Sequence, residues 1–157
     1  MIDPAHFTRW SQTLLAEAFG MSPAPHGYFL DDGQSGLLAV IATIDAAVAS
    51  TAPHPGGETI ASHCNHVLYL LRLFERYEHD EQPATDWPGS WKNQSVDEAT
   101  WNGLRTDLRA AYDTMQQLVQ SRTDWSDAAV GGLMITLTHS AYHVGEIRQL
   151  LTVVGTP

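Results

Sequence analysis

The sequence is poor in cysteine and in basic residues. Cys64 is the only cysteine among 157 residues, so no intramolecular disulfide can form and a disulfide-stapled secreted scaffold is excluded. Eight Lys and Arg residues stand against 18 Asp and Glu residues, which gives a formal net charge of −10. Because nucleic-acid binding depends on basic side chains that neutralise phosphates, we expect no nucleic-acid partner.

Long apolar runs are also missing. The longest, residues 36–50, is interrupted by Asp45 and is shorter than the roughly 20 residues that a membrane-spanning helix needs. The first ten residues show no apolar segment behind a basic start, which is the pattern of a secretory signal. We therefore expect a cytoplasmic protein with no membrane partner.

The composition is that of one globular domain. Hydrophobic residues make up 43% of the chain and charged residues 17%, as in ordinary folded proteins. A chain of this length buries roughly 70% of the surface that its unfolded form exposes, which is enough for a core without a structural metal. No internal repeat or long linker divides the sequence, so we predict a single domain over residues 1–157.

The spacing of apolar residues predicts an all-α fold. They recur every three to four positions in five segments separated by Gly- and Pro-rich stretches: 5–19, 36–49, 59–78, 97–121 and 126–153. The last four segments have lengths typical of a four-helix bundle, which we place in residues 34–157. Residues 1–33 are then an N-terminal extension, a helix and a connection, with the helix packed outside the bundle.

Histidine is the abundant residue. The chain has eight, as many as Lys and Arg together, and two of them, His139 and His143, lie four residues apart in the last predicted helix. At 100° per residue their side chains project about 40° apart, at adjacent turns of one face, where they can bind one metal ion. A pair of this kind also arises by chance, or as two buried histidines bonded to backbone or water.

A third ligand would strengthen the case for a metal. The predicted helix 59–78 offers His63 and His66, either of which can face the interior of a bundle. Catalytic zinc sites use three protein ligands and leave one position open. Ser140 stands where the zincin motif has glutamate, and residues 139–146 hold no Glu-x-x-His motif of a di-iron site. The pattern therefore favours a single divalent ion with imidazole ligands, zinc or nickel.

Two carboxylates are further candidates for the site. Asp45 is the only ionisable residue in segment 36–49, and it either orients a ligating histidine or lies exposed. Glu146 follows His143 by three residues and is our candidate catalytic residue, as a general base or as a partner of a ligand. The alternative for Glu146 is a surface position, paired with Arg148 or with solvent.

The predicted connection between residues 78 and 97 carries two tryptophans, Trp87 and Trp91. Their rings either roof a binding cleft or anchor a long connection onto the bundle. The sequence leaves both alternatives open.

Two segments carry a resemblance to a known family. The run TIASHCNHVLYLLRLF, followed downstream by THSAYHVGEIRQL, resembles the DinB/YfiT-like superfamily of bacterial four-helix-bundle metalloproteins. In that pattern a histidine lies seven residues after a Thr-Ile start, which is His66 here. Two more lie four apart on the last helix, His139 and His143, before a Gly-Gln or Gly-Glu pair. The resemblance covers the chain from about Gln34 onward, and Glu146 stands where glutamine is common.

The resemblance implies a fold and a function. It implies an up-down-down-up bundle, often a homodimer, with a divalent metal bound by His66, His139, His143 and a water molecule. Some relatives are metal-dependent transferases of low-molecular-weight thiols such as bacillithiol or mycothiol. Our hypothesis is a thiol S-transferase that acts on a small molecule, with such a thiol as cosubstrate. The alternatives are a metal-dependent hydrolase, or a non-catalytic protein with a structural metal or a partner-binding face.

Overall fold

The computed structural model describes residues 3–23 and 26–155, and these ranges are all-helical, with no strand. They form six α-helices: α1 (Pro4–Phe19), α2 (Leu37–Ala42), α3 (Ala46–Ala49), α4 (Ile60–Glu78), α5 (Glu98–Ser121) and α6 (Asp127–Val154). A short 3₁₀ turn covers Pro88–Trp91. The predicted all-α class is confirmed, while the up-down-down-up arrangement stays a prediction.

Side-chain caps fix where the long helices begin. Asp97 and Ser126 accept hydrogen bonds from backbone N–H groups in the first turns of α5 and α6, as their positions in the sequence predict. At the start of α4, Thr59 and Ser62 form a capping box, in which each side chain accepts a bond from the other's backbone N–H. This cap sets the register of the helix that carries His63 and His66.

Segment 36–49 is not the single helix that its apolar sequence predicts. The structure divides it into α2 and α3, with a break at residues 43–45. The Ile44 carbonyl accepts a hydrogen bond from Trp101 Nε1 at 3.0 Å, and Arg105 Nη1 donates to the Ile41 carbonyl at 3.3 Å. Because α5 supplies these donors, the segment can leave the helical path without losing its backbone bonds.

Asp45 caps α3 and lies outside the site. Its carboxylate accepts a hydrogen bond from the Val48 N–H at 2.8 Å, and the side chain is exposed. The alternative in which Asp45 orients a ligating histidine is therefore wrong. An aspartate just before a short helix serves here as an ordinary N-cap.

The N-terminal helix belongs to the core. Leu15, Ala18 and Phe19 of α1 are completely buried, and α1 packs against α5 and α6. The four longest helices are thus α1, α4, α5 and α6, rather than the last four predicted segments. The prediction that the first helix packs outside the bundle is corrected. Segment 36–49 forms two short helices instead of one long one, and α1 is a long helix that packs on the core.

A buried carboxylate holds the chain that follows α1. Glu17 is 3% exposed, and its Oε1 accepts hydrogen bonds from the N–H groups of Tyr28, Phe29 and Leu30 at 2.8 to 2.9 Å. Gly36 then passes so close to α1 that a Cβ atom there would lie 2.6 Å from the Glu17 carbonyl oxygen. Only glycine fits this crossing.

None of the helices in the described part of the chain combines the length and the apolar character required to cross a bilayer.

Candidate metal centre

Helices α4 and α6 bring the three predicted ligands together. One nitrogen of each of His66, His139 and His143 lies within 4.8 Å of the others. The Nε2 atoms of His66 and His139 are 3.1 Å apart. His66 is 4% and His143 3% exposed, whereas His139 is half-buried. Three imidazoles with one more exposed member form a pocket that could hold a metal ion and leave access from one side.

The proton on His66 is placed by a serine. Ser90 Oγ lies 2.6 Å from His66 Nδ1 and donates its own hydrogen to the Trp87 carbonyl at 2.6 Å. Because that hydroxyl hydrogen is already used, Ser90 must accept a bond from the Nδ1–H of His66. The Nε2 atom of His66 then carries a lone pair, and it is this atom that faces His139.

The proton on His143 is placed by Glu146. The carboxylate Oε2 accepts a hydrogen bond from His143 Nδ1–H over 2.8 Å. The other ring nitrogen, Nε2, is therefore unprotonated, and it is buried with no hydrogen-bond partner. A buried lone pair without a partner costs free energy, and coordination of a cation removes this cost. A carboxylate bound to the far nitrogen is the usual support of a ligating histidine.

His63 lies next to the centre but in a different group. Its Nδ1 is 3.1 Å from His143 Nδ1 and 3.6 Å from Glu146 Oε2, and these three residues form a second cluster of possible ligands. The cluster of His66 and His139 does not include His63. Of the two candidates on α4, the structure therefore brings His66 to the α6 pair, and His63 to the carboxylate behind it.

Two tryptophans cover the histidines from the connection between α4 and α5 (residues 79–97), which we call the α4–α5 connection. Trp91 stacks on His66 with ring centroids 4.0 Å apart and an interplanar angle of 21°. Trp87 lies nearly parallel to His139, at 6.0 Å and 25°. Trp91 and Ser90 belong to the 3₁₀ turn and Trp87 directly precedes it, and the role of Ser90 was not evident from the sequence. Both rings therefore roof the cluster.

Burial keeps the histidines neutral. Burial, the largest cause, and the neighbouring histidines together lower the pKa of His66 and of His143 to about 4. Burial also lowers the pKa of His63 and His139, against the attraction of Glu146. Neutral imidazole is the form that binds a metal, so the cluster is ready for a cation at neutral pH.

Glu146 is bonded to His143 and Tyr142 and not to a surface cation. Its second oxygen, Oε1, accepts a hydrogen bond from the Tyr142 hydroxyl at 2.7 Å, and this bond raises the pKa of Tyr142. Arg148, the alternative surface partner, donates instead to the Ser35 carbonyl at 3.0 Å. The structure thus bonds Glu146 to the predicted ligand His143. Its assignment as a catalytic residue stays a prediction.

Cys64 takes no part in the cluster. It is completely buried in the hydrophobic core, and burial raises the pKa of its thiol. A protonated core thiol is a poor ligand and nucleophile, so Cys64 acts as a small apolar side chain.

No protein-family model, no curated protein and no solved structure matches this chain. The resemblance of its two histidine segments to the DinB/YfiT-like superfamily therefore stays a prediction. The coarser description stands on the structure itself: a helical protein with a histidine cluster that could hold a metal ion.

Proposed function

We propose that this protein is a metal-dependent enzyme of the DinB-like type, in which His66, His139 and His143 hold one zinc or nickel ion. The observation that carries the proposal is the buried Nε2 of His143, which has no partner although Glu146 fixes its tautomer. Ser90 prepares His66 in the same way. Two rings whose centroids lie 4.8 Å apart thus each carry a nitrogen lone pair, the form in which imidazole binds a metal.

The chemistry that we assign is the transfer of a low-molecular-weight thiol to a small electrophile. A divalent cation bound there would act as a Lewis acid that lowers the pKa of a thiol. Zinc and nickel accept sulfur beside imidazole nitrogen. The chain's own thiol, Cys64, is buried in the core, so the reacting thiol must enter from solution. Trp87 and Trp91 shield the faces of the ligands from water, and Glu146 and Ser90 keep their protons in place.

Metal content tests the ligand set. We expect about one equivalent of metal in the wild-type protein and in His63→Ala, and much less in His66→Ala and in the His139→Ala/His143→Ala double variant. Elemental analysis measures this, and circular dichroism confirms that each variant is folded. Full occupancy in the folded double variant contradicts the proposal.

Activity tests the reaction. Zinc- or nickel-loaded protein is mixed with a small thiol and an aryl halide, and conjugation is followed by absorbance. We expect turnover that a chelator abolishes while the helical signal remains. Ester hydrolysis without conjugation would assign the hydrolase alternative. Loss of the fold on chelation, with no turnover, would assign a structural metal.

A further inference from the structure

A second feature adjoins the candidate metal centre: a cavity of about 720 Å³ between α4, α6 and the α4–α5 connection. Bulky apolar side chains of α4, among them Leu70, Phe74 and Tyr77, line one wall. Ala129 and Gly132 of α6 line the opposite wall, and their small size leaves the space open. The volume lies within the range of pockets that bind small organic molecules.

The cavity approaches the histidines, although none of them lines it. Leu70 follows His66 by one turn of α4, and Thr136 precedes His139 by one turn of α6. Trp87 lines the cavity and also lies nearly parallel to the ring of His139. The end of the cavity therefore borders the side of the cluster formed by His66 and His139, where the half-buried ligand lies.

The charged groups of the lining favour an uncharged body. Its charged groups are Glu78, Asp80 and Arg122, and the arginine is already paired with Glu78. No basic group in this lining is free to pair with an anionic body, and the net charge of the three is negative. From Leu70 to Tyr77 the α4 wall extends over seven residues, or about 10 Å at the helical rise. An alkyl chain or an aromatic ring of that length fits this wall.

A smaller hollow lies on the other side of the cluster. It has about 520 Å³ and is lined by His63, Tyr142, Gly145 and Glu146, among others. Both oxygens of Glu146 are already bonded, to Tyr142 and to His143. This hollow borders His63 and Glu146, the carboxylate that is bonded to the predicted ligand His143. The cavity instead approaches His66 and His139.

We infer that the cavity under Trp87 is the substrate pocket of the metal centre and takes an uncharged alkyl or aryl body, with the reactive group at the His66–His139 end. The inference rests on the proposed function, because it assigns the substrate class of the same site. It concerns binding alone and can be measured without turnover.

The inference is tested by measuring how the affinity of a metal-binding probe changes with the length of its alkyl chain. The protein is loaded with Co²⁺, and the visible absorption of the ion reports binding of straight-chain hydroxamates from acetohydroxamate to octanohydroxamate. We expect the affinity of the wild-type protein to rise about fourfold for each added methylene that enters the cavity. Acetohydroxamate itself reports only the open position on the metal.

Three glycines of α6 provide matched variants. A Cβ at Gly132 would lie 3.8 Å from Phe74 Cε2 on the opposite wall of the cavity, whereas a Cβ at Gly131 or Gly145 would meet open space. We expect Gly132→Leu to weaken octanohydroxamate at least tenfold and acetohydroxamate less than twofold. Gly131→Leu, the neighbouring control, should bind both probes as the wild type does. Ala128→Leu narrows the same cavity from an exposed position and replaces Gly132→Leu if that variant does not fold.

The outcomes separate the two proposals. If affinity does not rise with chain length, or if the gain is lost in Gly145→Leu and kept in Gly132→Leu, the pocket assignment is overturned and the metal centre stands. If the protein does not bind Co²⁺, or acetohydroxamate leaves its spectrum unchanged, the proposed function fails and the pocket assignment fails with it.

Discussion

At the scale of single residues, the centre depends on groups behind the ligands. Ser90 and Glu146 each accept the Nδ1–H of one histidine, so that the Nε2 atoms of His66 and His143 both carry a lone pair. Without these acceptors each neutral ring could place its proton on either nitrogen, and half of the resulting tautomers would point N–H at the cation. Metal affinity should therefore depend on residues that do not touch the metal.

Removal of the Glu146 side chain should weaken metal binding. We expect Glu146→Ala to lower the affinity about 10–100-fold, and Glu146→Gln to lower it less, because the amide oxygen can still accept the bond from His143. Competition with a chromophoric chelator measures the affinity. Asp113→Asn, an exposed carboxylate on α5, serves as the control. Equal affinity for Glu146→Ala and the wild type would show that the bond does not orient the ligand.

The pairing of His139 and His143 could be predicted from the sequence. Helical period fixes the relative directions of His139 and His143 once their segment is helical, so their common face followed from spacing alone. His63 and His66 differ by three residues on one helix, and only the packing of α4 against α6 separates them. Ser90 could not be found, because it reaches His66 along an irregular connection whose path no periodicity encodes.

At the scale of elements, segment 36–49 shows how an apolar sequence conceals a break. Apart from Asp45 its residues suit a buried helix, so the apolar pattern contains no signal that the helix ends. The break depends on donors from a distant element, Trp101 and Arg105 of α5. The one local signal was Asp45, a good N-cap residue followed by alanines, which we had interpreted as a site residue or an exposed one.

The cap at Asp45 should be measurable. We expect Asp45→Ala to lower the free energy of unfolding by about 1 kcal/mol, and Asp45→Ser by less, because the serine oxygen can accept the same bond from Val48. Urea unfolding at neutral pH gives both values. Asp124→Ala, at an exposed position outside any helix, should change stability little. An unchanged urea midpoint for Asp45→Ala would show that this hydrogen bond does not stabilise α3.

At the scale of the whole molecule, one hydrophobic core joins all six helices. Leu15 of α1, Leu37 of α2, Ala46 of α3, Trp101 of α5 and Leu133 of α6 belong to the same buried cluster as the apolar face of α4. That the chain would fold as an all-helical protein was predictable from the spacing of its apolar residues. Which four helices would be the long ones was not, because the choice depends on the break in segment 36–49.

The buried histidines should make the metal-free protein sensitive to acid. Burial lowers the pKa of His66 and His143 to about 4 in the folded protein, whereas an unfolded histidine titrates near 6.5. The unfolded chain therefore binds more protons between these values, and stability should fall as pH drops from about 6.5 toward about 4. Urea midpoints of chelator-treated protein at several pH values measure this dependence.

Two variants give the comparison for this pH profile. His143→Gln should flatten the profile, because one buried titrating group is gone, while His6→Gln, at an exposed position, should keep the wild-type slope. If stability stays constant between pH 7 and 5 in the metal-free protein, burial of the histidines does not control their protonation.

The 3₁₀ turn at Pro88–Trp91 also bears on how this protein can diversify. The predicted ligands lie on two long helices, but the hydroxyl bonded to His66 and the ring that stacks on it come from this one short segment. Insertions or exchanges there would retune the reactivity of the centre and the shape of its entrance together, and would leave the buried cluster almost untouched. Descendants of a common ancestor could thus acquire new chemistry while inheriting the same framework.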